Sequence, residues 1–96
     1  MNSKQRAYLR SLANSITPIF QVGKSGLTEI FFKQIDDVLE ARELIKIHIL
    51  NNSREDINSI CEQISNNTNS TIVQIIGNKI TLFRQSTKKH KIELPN

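Results

Sequence analysis

Apolar positions early in the chain recur every three or four residues: Tyr8, Leu9, Leu12, Ala13 and Ile16 fall on one side of a helix. Ser3 stands where an N-cap would, so a first helix is predicted to run to about Asn14. Pro18 closes that region, and Ile19-Phe20-Gln21-Val22 reads as a short strand. After Gly23-Lys24-Ser25-Gly26 the helical spacing returns through Leu27, Ile30, Phe31, Ile35, Val38 and Leu39. Residues 43–50 then alternate, with Ile45, Ile47 and Ile49 on one face and Lys46 and His48 on the other, which predicts a strand. Asn51-Asn52 turn the chain, Ser53 with Asp56 suggests another N-cap, and Ile57, Ile60, Cys61 and Ile64 mark a third helix. A polar loop is expected over 66–70. Two strands, 71–76 and 79–84, follow, joined at Gly77-Asn78, where glycine supplies the positive φ of a tight hairpin. The polar, basic tail 85–96 carries Ile92 and Leu94, which can tuck back.

The predicted order is therefore α-β-α-β-α-β-β, an α/β chain with a mixed four-stranded sheet covered by helices. At 96 residues, without a repeat, linker or low-complexity segment, residues 1–96 read as one domain. No apolar run approaches the roughly 18 residues of a membrane span, and the charged N-terminus lacks a signal-peptide pattern. The single cysteine, Cys61, allows no internal disulfide and no metal cluster, and it falls on the apolar stripe of the third helix. A cytoplasmic protein with no cofactor, no membrane contact and no small-molecule substrate is expected.

Charge changes the picture through its distribution. The net charge of +4 is made of basic ends around an acidic middle: Asp36, Asp37, Glu40, Glu43, Glu55, Asp56 and Glu62 all lie within residues 34–62. If the ends meet, they form one positive face suited to a polyanion. No histidine or other metal-ligand pattern lies close to Asp36, Asp37, Glu40 and Glu43, which read as a solvated face.

The stretch Gly23-Lys24-Ser25-Gly26 carries the most chemistry. It lies where a strand ends and a helix begins, so free N–H groups and the positive helix end favour an anion, and Lys24 adds charge. A GxxG loop in this position is how KH modules clamp nucleic-acid backbone, although a plain strand-to-helix turn would look the same. A nucleotide-binding P-loop would need a further glycine where Pro18 stands. Arg6 and Arg10, one helical turn apart, and Lys46, Arg84, Lys88, Lys89 and Lys91 would extend an RNA footprint if folding aligns them. Phe20, Phe31 and Phe32 read as core, while Phe83, beside Arg84, is a candidate stacking ring. No nucleophile–base pair supports an enzyme.

Four motifs resemble, in order and spacing, the CRM-domain proteins of the YhbY type. They are Gly23-Lys24-Ser25-Gly26-Leu27-Thr28-Glu29, Glu43-Leu44-Ile45-Lys46-Ile47, Val73-Gln74-Ile75-Ile76-Gly77 and Leu82-Phe83-Arg84. The ending Lys91-Ile92-Glu93-Leu94-Pro95 is similar to the tail of bacterial stand-alone members. The chain departs at Phe83, where tyrosine is common, and at Arg42, where histidine is expected. The resemblance implies a fold similar to the C-terminal domain of translation initiation factor three and RNA contact through the loop Gly23 to Gly26. It also implies association with large-subunit ribosomal RNA or its precursor in pre-large-subunit particles. A protein–protein adaptor in ribosome assembly, acting through the acidic middle, is the alternative expectation.

Overall fold

The computed structural model describes residues 1–23, 27–50, 56–88 and 90–96. Of the expected features, Lys24, Ser25, Gly26, the turn Asn51-Asn52, Ser53 and Lys89 lie outside the described residues. Seven elements follow in the expected order: α1 (Ser3–Ala13), β1 (Phe20–Val22), α2 (Glu29–Arg42), β2 (Leu44–Ile49), α3 (Ile57–Thr68), β3 (Thr71–Ile76) and β4 (Lys79–Phe83). The sheet order is β1-β2-β4-β3. β1 runs parallel to β2, and β4 is antiparallel to both of its neighbours. The mixed sheet thus combines a strand–helix–strand unit with a hairpin whose Gly77 adopts φ 57°.

Strand alternation sorts the core into two layers. Ile45, Ile47, Ile49, Ile80 and Leu82 point to one face, where they pack with Ile35 and Leu39 of α2 and Ile60, Cys61 and Ile64 of α3. The other face holds Leu44, Val73 and Phe83 beneath Leu9 of α1, with Ile92 and Leu94 of the tail completing that cluster. Each such side chain, fully buried, contributes on the order of 1.5–3 kcal/mol of transfer free energy.

Several local expectations change. The α1 cap is Asn2, whose side chain accepts from the Gln5 N–H while Gln5 reaches back to the Asn2 N–H; this capping box places Ser3 inside the helix. α3 continues through Thr68 rather than ending in a polar loop, because the buried Thr68 hydroxyl donates to the Ile64 carbonyl and Asn69 closes the helix in the left-handed conformation. Phe83 is 5% exposed beneath α1 and the tail, so it is a core ring and offers no stacking surface. Ile30, placed on the apolar stripe of α2 by its spacing, is 73% exposed in the first turn.

Candidate nucleic-acid interface

Gly23 leaves the end of β1 beside Leu50, whose N–H donates to the Val22 carbonyl. A Cβ built on Gly23 would meet only Leu50 Cδ1, at 3.8 Å, an ordinary van der Waals contact, and Gly23 does not adopt positive φ. Neither packing nor backbone conformation therefore requires a glycine there; its effect is to leave the backbone open to approach. Across the loop, α2 begins at Thr28, whose hydroxyl accepts from the Phe31 N–H. The N–H groups of Glu29 and Ile30 have no partner among the described residues and face the loop end of the sheet with the positive pole of the helix. Glu29, in that same turn, offsets part of the field.

The expected cations divide into two groups. Arg6 donates to the carbonyls of Ile72 and Val73, at 2.5 and 3.2 Å, where β3 shifts register against β4. A bulge leaves carbonyls outside the ladder, and the guanidinium fork satisfies them while fastening α1 to β3. Lys46 Nζ donates to the Ala13 carbonyl at 2.9 Å and so caps the negative end of α1. Arg84 pairs with Asp36 and donates to the carbonyls of Thr68 and Asp36, both at 2.8 Å, tying the end of β4 to α2 and α3. These three side chains hold the fold together. Arg10, Lys88 and Lys91 are exposed.

The structure does not gather the basic ends at the loop. The Arg84 N–H pairs with the Glu43 carbonyl at the start of β2, whereas Gly23 lies level with Leu50 at its far end. Seven residues of strand separate those levels, about 23 Å at the usual rise. The tail does meet α1, since Gln5 Nε2 donates to the Pro95 carbonyl, but it does so at the end away from the loop.

Within the acidic middle, Asp36, Glu40 and Glu43 are engaged by partners, whereas Asp37, Asp56 and Glu62 are exposed. Glu43 is wholly buried and sits at φ 68°, where α2 gives way to β2. Its carboxylate accepts from the N–H groups of Ser86 at 2.7 Å and of Lys91 and Ile92 at 2.6 Å. Burial pushes its carboxyl pKa up, but those three donors and the nearby His90 charge outweigh burial and hold it below the ordinary value. Glu40 accepts from the Ser86 hydroxyl, from the Thr87 hydroxyl and N–H, and from the Lys88 N–H; the Ser86 hydroxyl leads in lowering its pKa against the opposing desolvation. Two carboxylates one turn apart thus clamp the tail backbone, and with Asp36 on Arg84 only Asp37, of the four acids at 36–43, is exposed without a partner among the described residues.

Sequence reasoning missed a row at the loop end of the sheet. α1 stops over Lys46, and the strands beyond it remain uncovered. There Gln21 pairs with His48, His48 with Lys79, and Lys79 with Ile76, so their side chains share one face. With Pro18, Ile19 and Phe20, the first three of these line an open groove of about 520 Å³. Only the strand register, which spacing alone leaves unset, unites them. Cys61 is buried, its thiol pushed up to about 11 by desolvation and the Asp56 charge, as befits a core residue. Among the described residues there is no cluster of potential metal ligands and no helix long and apolar enough to cross a membrane.

A mixed α/β sheet in which a GxxG sequence links a strand to a helix N-terminus shares that feature with the KH class of nucleic-acid-binding modules. The chain belongs to the CRS1/YhbY (CRM) domain family, whose model matches residues 1–84. It is similar to the probable RNA-binding protein YqeI of Bacillus subtilis, with 47% identity over 99% of both chains. It also resembles an RNA-binding protein of Haemophilus influenzae, with 35% identity over 99% of this chain and 95% of the relative. A hypothetical protein of Staphylococcus aureus, described as a candidate RNA binder, has a solution structure that superposes with a TM-score of 0.81 at 50% identity, covering 99% of each chain.

Proposed function

We infer that residues 1–96 form one RNA-binding unit that attaches, without catalysis, to large-subunit ribosomal RNA in assembling particles in the cytoplasm. The observation that carries the RNA-binding part of this reading is similarity along nearly the whole chain to proteins named for RNA binding; the ribosomal target extends it from the resemblance of the motifs. The open backbone at Gly23 supplies the contact: amides of Gly23 to Gly26 and of the first turn of α2 hold a phosphate, and Lys24 adds charge. Arg10 lies outside the internal pairings and is available to RNA, as are Lys88 and Lys91 on a separate face. Arg6 and Lys46 act by fastening α1 to the sheet, and Arg84 by tying the end of β4 to α2 and α3. Such binding is weakly sequence-specific and strongly salt-dependent, because each phosphate contact releases counterions.

Sucrose-gradient fractionation of lysate at low and moderate salt tests the target. Sedimentation with particles at or just below the large subunit, lost as salt rises, is the expected result. Retention at the top of the gradient at every salt would remove the ribosome from the account.

A further inference from the structure

We propose that the groove formed by Gln21, His48 and Lys79 is a second RNA subsite that takes one unstacked nucleotide of the strand held at Gly23. The inference rests on the RNA-binding reading and deepens it. Three observations carry it. First, α1 covers this sheet face as far as Lys46, whose ammonium is spent on the Ala13 carbonyl, and the row beyond is left open. Second, the side chains of His48 and Lys79 make no hydrogen bond or ion pair among the described residues, and no carboxylate lines the groove. Third, Gln21 lies in β1 two residues before Gly23, about 7 Å away by strand rise, so one chain of phosphates can serve both places.

The chemistry is complementary to a nucleotide rather than to a bare anion. The Lys79 ammonium suits a phosphate, the His48 ring offers a face for a base, and the Gln21 amide can donate to and accept from a base edge. Pro18 and Ile19 supply an apolar wall for the sugar, and Ile76, 64% exposed beside Lys79, extends the platform. Stacking on a flat sheet needs a base splayed out of its helix, so the strand here is single.

The test is a titration of the isotope-labelled full chain with a fluorescein-tagged single-stranded RNA 12-mer of mixed sequence, followed by amide shifts and by anisotropy. Wild-type protein should show shifts at Gly23 and Thr28 to Phe31 and also at Gln21, His48 and Lys79. The H48A/K79Q variant should bind about tenfold more weakly while keeping its shifts at Gly23. A blunt-ended RNA duplex of the same length should give loop shifts without groove shifts. Loop shifts with a silent groove and an unchanged H48A/K79Q affinity would overturn the subsite while leaving the RNA-binding reading intact. Absence of shifts anywhere with either RNA would overturn both. Single-residue variants, H48Q and K79Q, separate ring stacking from charge if the double variant fails to fold; unchanged affinity in both would again overturn the subsite.

Discussion

Replacing Glu43 by alanine removes the acceptor for three tail N–H groups, at 2.6–2.7 Å, from a fully buried position. Hydrogen bonds to a charged acceptor contribute about 1.5–3 kcal/mol each, which for three gives a gross loss of roughly 4.5–9 kcal/mol. Two effects reduce it: the buried carboxylate no longer has to be desolvated, and the tail can swing its N–H groups into water. A net loss of about 3 kcal/mol remains, with part of the Ile92 and Leu94 packing included. For a chain of this size that lowers Tm by roughly 12–24 °C. The backbone supplies an internal control, because φ is 68° at this position. Glycine there should lose the same carboxylate yet recover about 1 kcal/mol of strain that alanine keeps. Urea unfolding of wild type, E43A and E43G should rank them in the order wild type, glycine, alanine. Amide exchange should accelerate at Ser86, Lys91 and Ile92. An alanine variant within 0.5 kcal/mol of wild type, or a glycine variant less stable than alanine, would refute the clamp or the strain respectively.

Three further outcomes follow from the same contacts. Gly23→Ala should leave urea stability unchanged or raised by up to about 1 kcal/mol, since the space and backbone accept a methyl group, while RNA affinity measured by filter binding falls severalfold. Arg6→Ala should cost about 1–3 kcal/mol by stranding the bulge carbonyls of Ile72 and Val73, with the loss visible in thermal unfolding; an unchanged Tm would mean that water replaces the guanidinium. Glu40 and Glu43 both titrate below their ordinary value of 4.5 when folded, so the stability they lend is fully present above that pH and is lost as pH falls through the folded values. Tail amides followed by NMR should therefore release only once pH has fallen below the ordinary carboxylate value of 4.5, before the sheet unfolds; release already at neutral pH would contradict the clamp.

The elements were legible because each carries a clean period: Ile45, Ile47 and Ile49 alternate, and Ile60, Cys61 and Ile64 recur at helical spacing. The hairpin was legible from Gly77-Asn78. What spacing could not convey is which charges fold inward. Arg6 and Arg10 look alike one turn apart, yet only Arg6 faces the bulge in β3, sixty-six residues away. Glu43 looks like one more acid in a run, because its partners lie more than forty residues downstream and are backbone groups with no side-chain signature. The Gln21, His48 and Lys79 row likewise appears only once β1, β2 and β4 take their register. Local order follows local sequence, while the assignment of charges to fold or to surface depends on contacts between distant segments.

The most direct test of the central claim is the affinity of a structured large-subunit ribosomal RNA fragment for wild type and for the Lys24→Glu/Gly26→Asp double variant across a series of salt concentrations. The account predicts wild-type binding that weakens steeply with salt, and a variant that is equally stable yet at least about tenfold weaker at low salt. Equal binding by the folded variant, with the same salt slope, would contradict it.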